Sequence, residues 1–241
     1  LQTIEKFAFS ESSIKEIFIP SKVSTICKNV FCCCKNLTKV EIPKNSNLET
    51  IEVSVFQSSE IQNIFIPSKV SKICQYSFWY CSNLINVEIP QNSNLQIIEE
   101  KAFSSSNIEN IFIPSQVSTI CKSAFSFCSD LTKIEIPPNS NLQIIDERVF
   151  ESSGIKDIFI PSKVSKICKC AFINCKKLQI IEISDESELE EISLTAFYGC
   201  DQAIIMSPPK FISQKLCNQK FILYTYHNPF YFLTDITGEY L

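Results

Sequence analysis

The chain repeats itself every 47 residues. The segment "IFIPSKV" at Ile17–Val23 returns at Ile64–Val70 and Ile158–Val164, and as "IFIPSQV" at Ile111–Val117. A leucine opens a near-copy of L-x-x-I-x-x-x-x-F at the same interval, at positions 1, 48, 95, 142 and 189. Such self-similarity is the signature of a repeat array, in which each supersecondary unit stacks on the next. The sequence therefore predicts an array rather than separate globules.

Each long repeat contains two shorter units. The apolar pattern [LI]-x-x-[IV]-x-I ends at intervals of 23 or 24 residues, at Ile19, Ile42, Ile66, Ile89, Ile113, Ile136, Ile160 and Ile183. A coil this short cannot enclose a core, so the coils above and below must cover its Leu, Ile and Phe side chains. At the end of each pattern apolar residues alternate with other residues, as in a β-strand. A proline such as Pro20 ends the strand, because proline has no N–H to donate to a sheet ladder. We expect the strands to stack into a parallel sheet.

The whole unit reads L-x-x-[IV]-x-I-P-x-x-V-x-x-I-x-x-x-[AV]-F-x-x-C. It resembles the leucine-rich repeats of BspA-like surface proteins, known from bacteria and from trichomonad and amoebic parasites. The resemblance implies an α/β-type repeat solenoid, with a parallel β-sheet on its concave face and an irregular or short helical convex side. It spans residues 1–206, in roughly nine units. Residues 207–241 lack the repeat and carry eight aromatic residues, and we expect them to form a C-terminal capping segment.

The strands of this solenoid should present an unusual outer surface. In the resemblance Ile14, Ile17 and Ile19 point inward, and the alternation of a strand sends Glu16 and Phe18 outward. The second outward position forms what we call the Phe/Glu ladder, namely Phe18, Glu41, Phe65, Glu88, Phe112, Glu135, Phe159 and Glu182. The first outward position forms a polar row, namely Glu16, Lys39, Asn63, Asn86, Asn110, Lys133, Asp157 and Ile180.

Two interpretations of the Phe/Glu ladder are open. Contiguous exposed apolar surface tends to mark binding, so the ladder, with Lys39, Asn63, Asn86, Asn110 and Lys133 beside it, is predicted to bind an extended protein ligand. Alternatively the rings lie flat over the glutamate methylenes and neighbouring strands, and recur because a unit of 47 residues was duplicated.

Thirteen cysteines are present, and eight fall into two registers. These are Cys27, Cys74, Cys121 and Cys168, and, seven residues later, Cys34, Cys81, Cys128 and Cys175. Members of one register lie two coils or ~9.6 Å apart, beyond the ~7 Å limit for a disulfide. We interpret them as free, small, buried side chains. Zinc binding is the alternative, since Cys32, Cys33 and Cys34 are adjacent and Cys168 and Cys170 are separated by one residue, but neither group has the paired C-x-x-C spacing of a zinc site.

Composition excludes several classes of function. The net charge is −4 and the basic residues are dispersed, which disfavours nucleic acid as a partner. Three glycines leave no glycine-rich phosphate loop. His227 is the single histidine, so a metal site or a catalytic dyad based on imidazole is not expected. No apolar run reaches the length of a membrane helix. We expect no cofactor, no metal, no catalytic residue and no membrane insertion by this segment.

The sequence thus favours non-catalytic protein recognition. The resemblance implies cell-surface adhesion or binding of a host or matrix protein, with an extracellular partner and a cell-surface or secreted location. The alternative is an intracellular scaffold or interaction module that uses the same face in the cytoplasm, which free thiols would also suit. An enzyme ranks third, because no acid, base and nucleophile converge. The oligomeric state and the partner's identity are not predicted.

Overall fold

The computed structural model describes residues 1–207 and the backbone of residues 221–223. Each coil gives one strand to a nine-stranded sheet and one to a ten-stranded sheet. In chain order, the ten-stranded sheet contains β2 (Glu16–Phe18), β4 (Lys39–Glu41), β6 (Asn63–Phe65), β8 (Asn86–Glu88), β10 (Asn110–Phe112), β12 (Lys133–Glu135), β14 (Asp157–Ile160), β16 (Ile180–Ile183), β18 (Ile204–Ser207) and β19 (Phe221–Leu223).

The nine-stranded sheet is built from two-residue strands. It contains β1 (Thr3–Ile4), β3 (Thr25–Ile26), β5 (Thr50–Ile51), β7 (Lys72–Ile73), β9 (Ile97–Ile98), β11 (Thr119–Ile120), β13 (Ile144–Ile145), β15 (Lys166–Ile167) and β17 (Glu191–Ile192). All pairings in both sheets are parallel, and each strand lies beside its equivalent in the next coil, as Ile51 lies beside Ile73. The predicted parallel solenoid is therefore confirmed, with a second sheet that the sequence did not indicate.

Turns make up the third side of each coil, and the predicted short helices are absent from the described residues. The amides of Asn29, Phe31 and Cys33 donate to carbonyls of the next coil, at 2.8–3.0 Å. The amide of Cys32, between two of them, donates three residues back to the carbonyl of Asn29. Asn29 and Cys33 have φ angles of 61° and 58°. A left-handed residue every fourth position breaks an α-helix, so this part of the fold prediction is wrong.

A column of stacked rings fills the core, which we call the phenylalanine spine. It consists of Phe9, Phe31, Phe56, Phe78, Phe103, Phe125, Phe150, Phe172 and Phe197, with 5.0–5.8 Å between successive ring centroids. All members after Phe9 are fully buried. An aromatic pair in offset-stacked geometry contributes ~0.5–1.5 kcal/mol beyond the area that it buries. The spine therefore couples each coil to both neighbours.

A serine–cysteine row runs beside the spine, three positions after each of its rings. Its members are Ser12, Cys34, Ser59, Cys81, Ser106, Cys128, Ser153, Cys175 and Cys200. Each of its five thiols donates to the carbonyl of a spine phenylalanine in the preceding coil, with sulfur-to-oxygen distances of 2.9–3.1 Å. These thiols are buried, and the twelve cysteines of the described residues are all free. Here cysteine is a hydrogen-bond donor as well as a small apolar side chain.

The end of the array is described in part. Strand β19 pairs with β18 in parallel, with Met206 beside Ile222. The predicted division sets a solenoid of residues 1–206 apart from a capping segment of residues 207–241, and that second segment lies mostly outside the described residues. It stays a prediction.

Candidate protein-binding face

The Phe/Glu ladder lies on the outer face of the ten-stranded sheet. The alternation of each strand puts the isoleucines on either side of a ladder ring into the core: Ile64 and Ile66, which flank Phe65, are 2% and 0% exposed. Phe18 is 58% exposed, and Phe65, Phe112 and Phe159 are half-buried. All four ladder glutamates are exposed. The rings are thus outside the core, as the alternation of a strand requires.

Registers within the sheet place a phenylalanine directly beside a glutamate. Phe18 pairs with Glu41, Phe65 with Glu88, Phe112 with Glu135 and Phe159 with Glu182. Because neighbouring strands are ~4.8 Å apart, successive rings lie ~9.6 Å apart with a carboxylate between them. Apolar and anionic groups therefore alternate along the array.

The neighbours of each ring explain how far it is exposed. Strand β6 lies between β4 and β8, so Phe65 has a glutamate on each side, and its ring is half-buried. Phe18 lies on the first strand of this sheet, with Glu41 on one side. A glutamate's methylene groups can cover part of a ring while its carboxylate stays in water, as amphipathic side chains do.

The polar row adds charges and amides to the same face. The Nζ atoms of Lys39 and Lys133 lie 2.5 and 3.8 Å from carboxylate oxygens of Glu41 and Glu135. The hydrogen bond to Glu41 is the main cause that raises the pKa of Lys39. Asn63, Asn86 and Asn110 stand side by side on β6, β8 and β10, and all three are exposed. These amides are free to donate to and accept from a bound chain.

A shallow groove of about 660 Å³ lies over the N-terminal half of this face. Phe18, Glu41, Phe65 and Glu88 line it, with Lys39 and Asn63 among the residues between them. The structure therefore brings the first four members of the Phe/Glu ladder to one surface depression. The other four predicted residues, Phe112, Glu135, Phe159 and Glu182, continue the ladder on β10 to β16.

Metal binding and thiol reactivity concern the cysteine and carboxylate side chains of the described residues. No cluster of three or more His, Cys, Asp or Glu side chains within it could hold a metal ion. Burial raises the pKa of Cys81 to about 12 and that of Cys128 to about 11. A thiol held in its protonated form is a poor nucleophile.

Residues 1–207 and 221–223 contain no helix with the length and hydrophobicity needed to cross a bilayer.

Sequence reasoning missed a cluster of aromatic side chains on the turn side of the fourth coil, in which Tyr80 is exposed and Tyr76 and Trp79 are half-buried. The Trp79 ring centroid lies 5.4 Å from that of Tyr76 and 4.8 Å from that of Tyr80. The Lys101 Nζ sits 5.8 Å from the Tyr76 centroid. The string "SFWYC" from Ser77 contains two of these rings and could have indicated the cluster, but equivalent positions in other coils carry different residue types, so no repeat pattern marks it.

Solved structures with the same fold come from several bacteria. A leucine-rich repeat protein from Bacteroides ovatus aligns with a TM-score of 0.66 and 24% identity, over 94% of this chain and 67% of that one. The pneumococcal vaccine antigen PcpA aligns with a TM-score of 0.60 and 21% identity, over 85% and 51% of the two chains. A Eubacterium ventriosum leucine-rich repeat protein gives a TM-score of 0.53 and 20% identity, over 78% and 59%. At these identities the similarity concerns the fold, and the chain spans half to two thirds of each of these proteins.

Sequence comparison identifies the family. The search against curated proteins gave no match. The profile of the BspA type leucine rich repeat region, which contains six copies of the repeat, matches residues 2–129 and again residues 96–215. Leucine-rich repeats of this family and fold are generally protein-interaction modules and typically non-catalytic. The chain belongs to the BspA type leucine-rich repeat family.

Proposed function

We propose that the chain is a non-catalytic recognition module that binds a protein ligand on the Phe/Glu ladder. The observation that carries the proposal is the set of four phenylalanines on the outer face of the ten-stranded sheet, one on every second strand. Each ring keeps apolar surface in contact with water, and a ligand that covers this surface would gain hydrophobic free energy. Regularly spaced, partly exposed rings beside carboxylates are suited to anchoring a ligand.

Each type of residue on this face has a separate role in the proposal. The rings of Phe65 and Phe112 provide apolar anchors, because a few residues carry most of the binding energy at a protein interface and a phenylalanine ring buries a large apolar area. Glutamates between the rings select the charge of the ligand. Asn63, Asn86 and Asn110 supply hydrogen bonds to polar groups of the ligand backbone.

The location that we propose is the cell surface, with an extracellular, host or matrix protein as the ligand. The support is that the chain belongs to the BspA type family, and the BspA-like proteins that its repeats resemble are surface proteins. On this proposal the module takes part in adhesion.

An intracellular scaffold is the second candidate, and the cysteines favour it. All twelve cysteines of the described residues are free, and the five in the serine–cysteine row use their thiol protons in hydrogen bonds. Thiols persist in reducing compartments and tend to oxidise outside them. Antibody staining of intact cells and of permeabilised cells separates the two candidates: staining that requires permeabilisation supports the scaffold.

The binding surface is tested with two matched double variants. The F65S/F112S variant removes two rings from the ladder, whereas F127S/Y198S removes two aromatic side chains, 52% and 69% exposed, from the turn side. We expect the F127S/Y198S array to capture the same surface-labelled proteins as the unaltered array, and the F65S/F112S array to lose them. Both variants should keep the unaltered circular dichroism spectrum. Full capture by folded F65S/F112S would contradict the proposal.

A further inference from the structure

We infer that the ligand of the Phe/Glu ladder is a basic, proline-rich segment in the polyproline II conformation, bound along the axis of the array. The inference rests on the proposed function and names the chemistry of its ligand. Two properties of the face lead to it, the interval between its rings and its charge.

The interval between the rings matches one regular conformation of a peptide better than the others. Rings on every second strand recur every ~9.6 Å. A polyproline II helix has three residues per turn and a rise of ~3.1 Å, so one face recurs every ~9.3 Å. A β-strand presents one face every ~6.8 Å, and an α-helix presents one every ~10.5 Å, at seven residues.

The mismatch accumulates along the ladder. Four rings span three intervals, or ~29 Å. A polyproline II ligand drifts by ~1 Å over that length, an α-helix by ~3 Å and a β-strand by ~8 Å. Polyproline II segments are also preformed and dock on surfaces lined by aromatic rings, so they lose little conformational entropy on binding.

The charge of the face requires a basic ligand. The Phe/Glu ladder and the polar row together carry six carboxylates and two lysines, an excess of four negative charges. Both lysines already pair with a ladder glutamate. Among the described residues, Glu88 and Glu182 form no ion pair. Their exposed carboxylates are therefore open to cations from a partner.

A ligand with arginine at every third position would match both the interval between the rings and the negative charge of the face. Its guanidinium forms two parallel hydrogen bonds with a carboxylate and also stacks on aromatic faces. On a polyproline II helix such arginines recur every ~9.3 Å, in step with the glutamates between the rings. The prolines between them would lie against the phenylalanines.

Four synthetic repeats of Pro-Pro-Arg provide the probe, since twelve residues of polyproline II extend ~37 Å and eight strands extend ~34 Å. Fluorescence anisotropy should show this peptide binding the folded array at least ten-fold more tightly than four repeats of Gly-Gly-Arg, which has the same charge without the conformation. Four repeats of Pro-Pro-Glu should not bind. Equal affinity for the two arginine peptides would overturn the inference.

Two further variants place the peptide on the face. E88Q/E182Q should weaken binding of the Pro-Pro-Arg peptide about five-fold, a change of ~1 kcal/mol. The control E49Q/E190Q neutralises two exposed carboxylates that precede β5 and β17 of the other sheet, and should bind as the unaltered array does. Unchanged affinity of E88Q/E182Q would overturn the inference.

The peptide-binding experiment tests the inference, and the capture experiment separately tests the proposed function. If the peptide does not bind while F65S/F112S still loses its captured proteins, the ladder binds a ligand of other chemistry and the inference fails alone. If F65S/F112S also keeps its capture, the proposed function fails with it.

Discussion

At the scale of single residues, the same residue type has opposite environments in neighbouring parts of one coil. Phe103 belongs to the phenylalanine spine and is fully buried, whereas Phe112, nine residues later, is half-buried on the outer face of the ten-stranded sheet. Ile111 and Ile113 on either side of Phe112 are 3% and 0% exposed. Position in the coil, rather than residue type, therefore decides whether a ring supports the fold or is available to a ligand.

Truncating these two rings should have very different effects on stability. Phe103→Ala opens a cavity between two stacked neighbours and should lower the free energy of unfolding by about 3–5 kcal/mol. Phe112→Ala removes a half-buried ring and should lower it by about 1 kcal/mol. Chemical denaturation of both variants measures the difference. Equal losses would mean that the ring of Phe112 supports the fold as much as the spine does.

The buried thiols should make the array sensitive to alkaline pH. An unfolded cysteine has a pKa of ~8.5, whereas burial raises that of Cys81 to about 12 and that of Cys128 to about 11. Below pH ~8.5 both states keep the proton and the full stability is present. Above it the unfolded state releases protons first, so the free energy of unfolding falls until the pH passes the folded pKa values. The slope is up to ~1.4 kcal/mol per pH unit for each thiol.

The C81S/C128S variant tests this dependence. Serine already occupies the equivalent positions 59 and 106 in neighbouring coils, so the variant should fold. It should lose less stability than the unaltered protein between pH 8 and pH 10.5, as measured by urea denaturation. Parallel pH profiles for the two proteins would show that the thiols of the serine–cysteine row do not contribute.

At the scale of elements, the turn side differs most from what the sequence indicated. In the described part of the chain sixteen non-glycine residues have positive φ angles, and Asn29, Ser58 and Arg148 show how varied they are. A left-handed residue is usually marked by glycine, and Gly199 occupies this position in the ninth coil, with φ of 77°. The other coils lack that signal, and the short helices expected there came only from the family resemblance. Hydrogen bonds between coils hold these residues in place instead.

Replacing one of these residues with glycine should therefore stabilise the array. Ser58 has a φ of 54°, and a left-handed residue with a side chain costs roughly 1–2 kcal/mol. Ser58→Gly removes that cost. Glycine also gives the unfolded chain more conformational entropy, which offsets only part of the gain, so the free energy of unfolding should rise by about 0.5–1 kcal/mol. Ser82→Gly, at an exposed position without positive φ, should instead lower it. Destabilisation by both changes would refute the expected strain.

The strands were more predictable than the turns. In β6 and β10 an isoleucine lies between two outward residues, and this alternation is visible in the sequence. The outward positions of Phe65 and Phe112 could therefore be predicted. The strands of the second sheet, such as β5, are two residues long, which is too short for alternation to be recognised. Stacking within the phenylalanine spine depends on the spacing between coils, and that is a property of the assembled array.

At the scale of the whole molecule, one hydrophobic core runs through the described coils from Ile4 to Ile205. The spine, the serine–cysteine row and both sheets all make their contacts between successive coils. Stability in such an array is approximately a sum of nearest-neighbour terms. The same stacking places successive members of the Phe/Glu ladder side by side on the outer face. One arrangement of coils thus produces both the buried rings that hold the array together and the rings proposed to bind the ligand.

Hydroxyl-radical footprinting with mass spectrometry tests this division of rings most directly. In the folded array, Phe18, Phe65, Phe112 and Phe159 should be oxidised readily, whereas the spine phenylalanines from Phe31 to Phe197 should stay protected until the protein unfolds. Adding the Pro-Pro-Arg peptide should protect the ladder rings and leave the exposed ring of Phe127 reactive. Ladder rings as unreactive as the spine in the free protein, or a spine oxidised as fast as the ladder, would contradict the account.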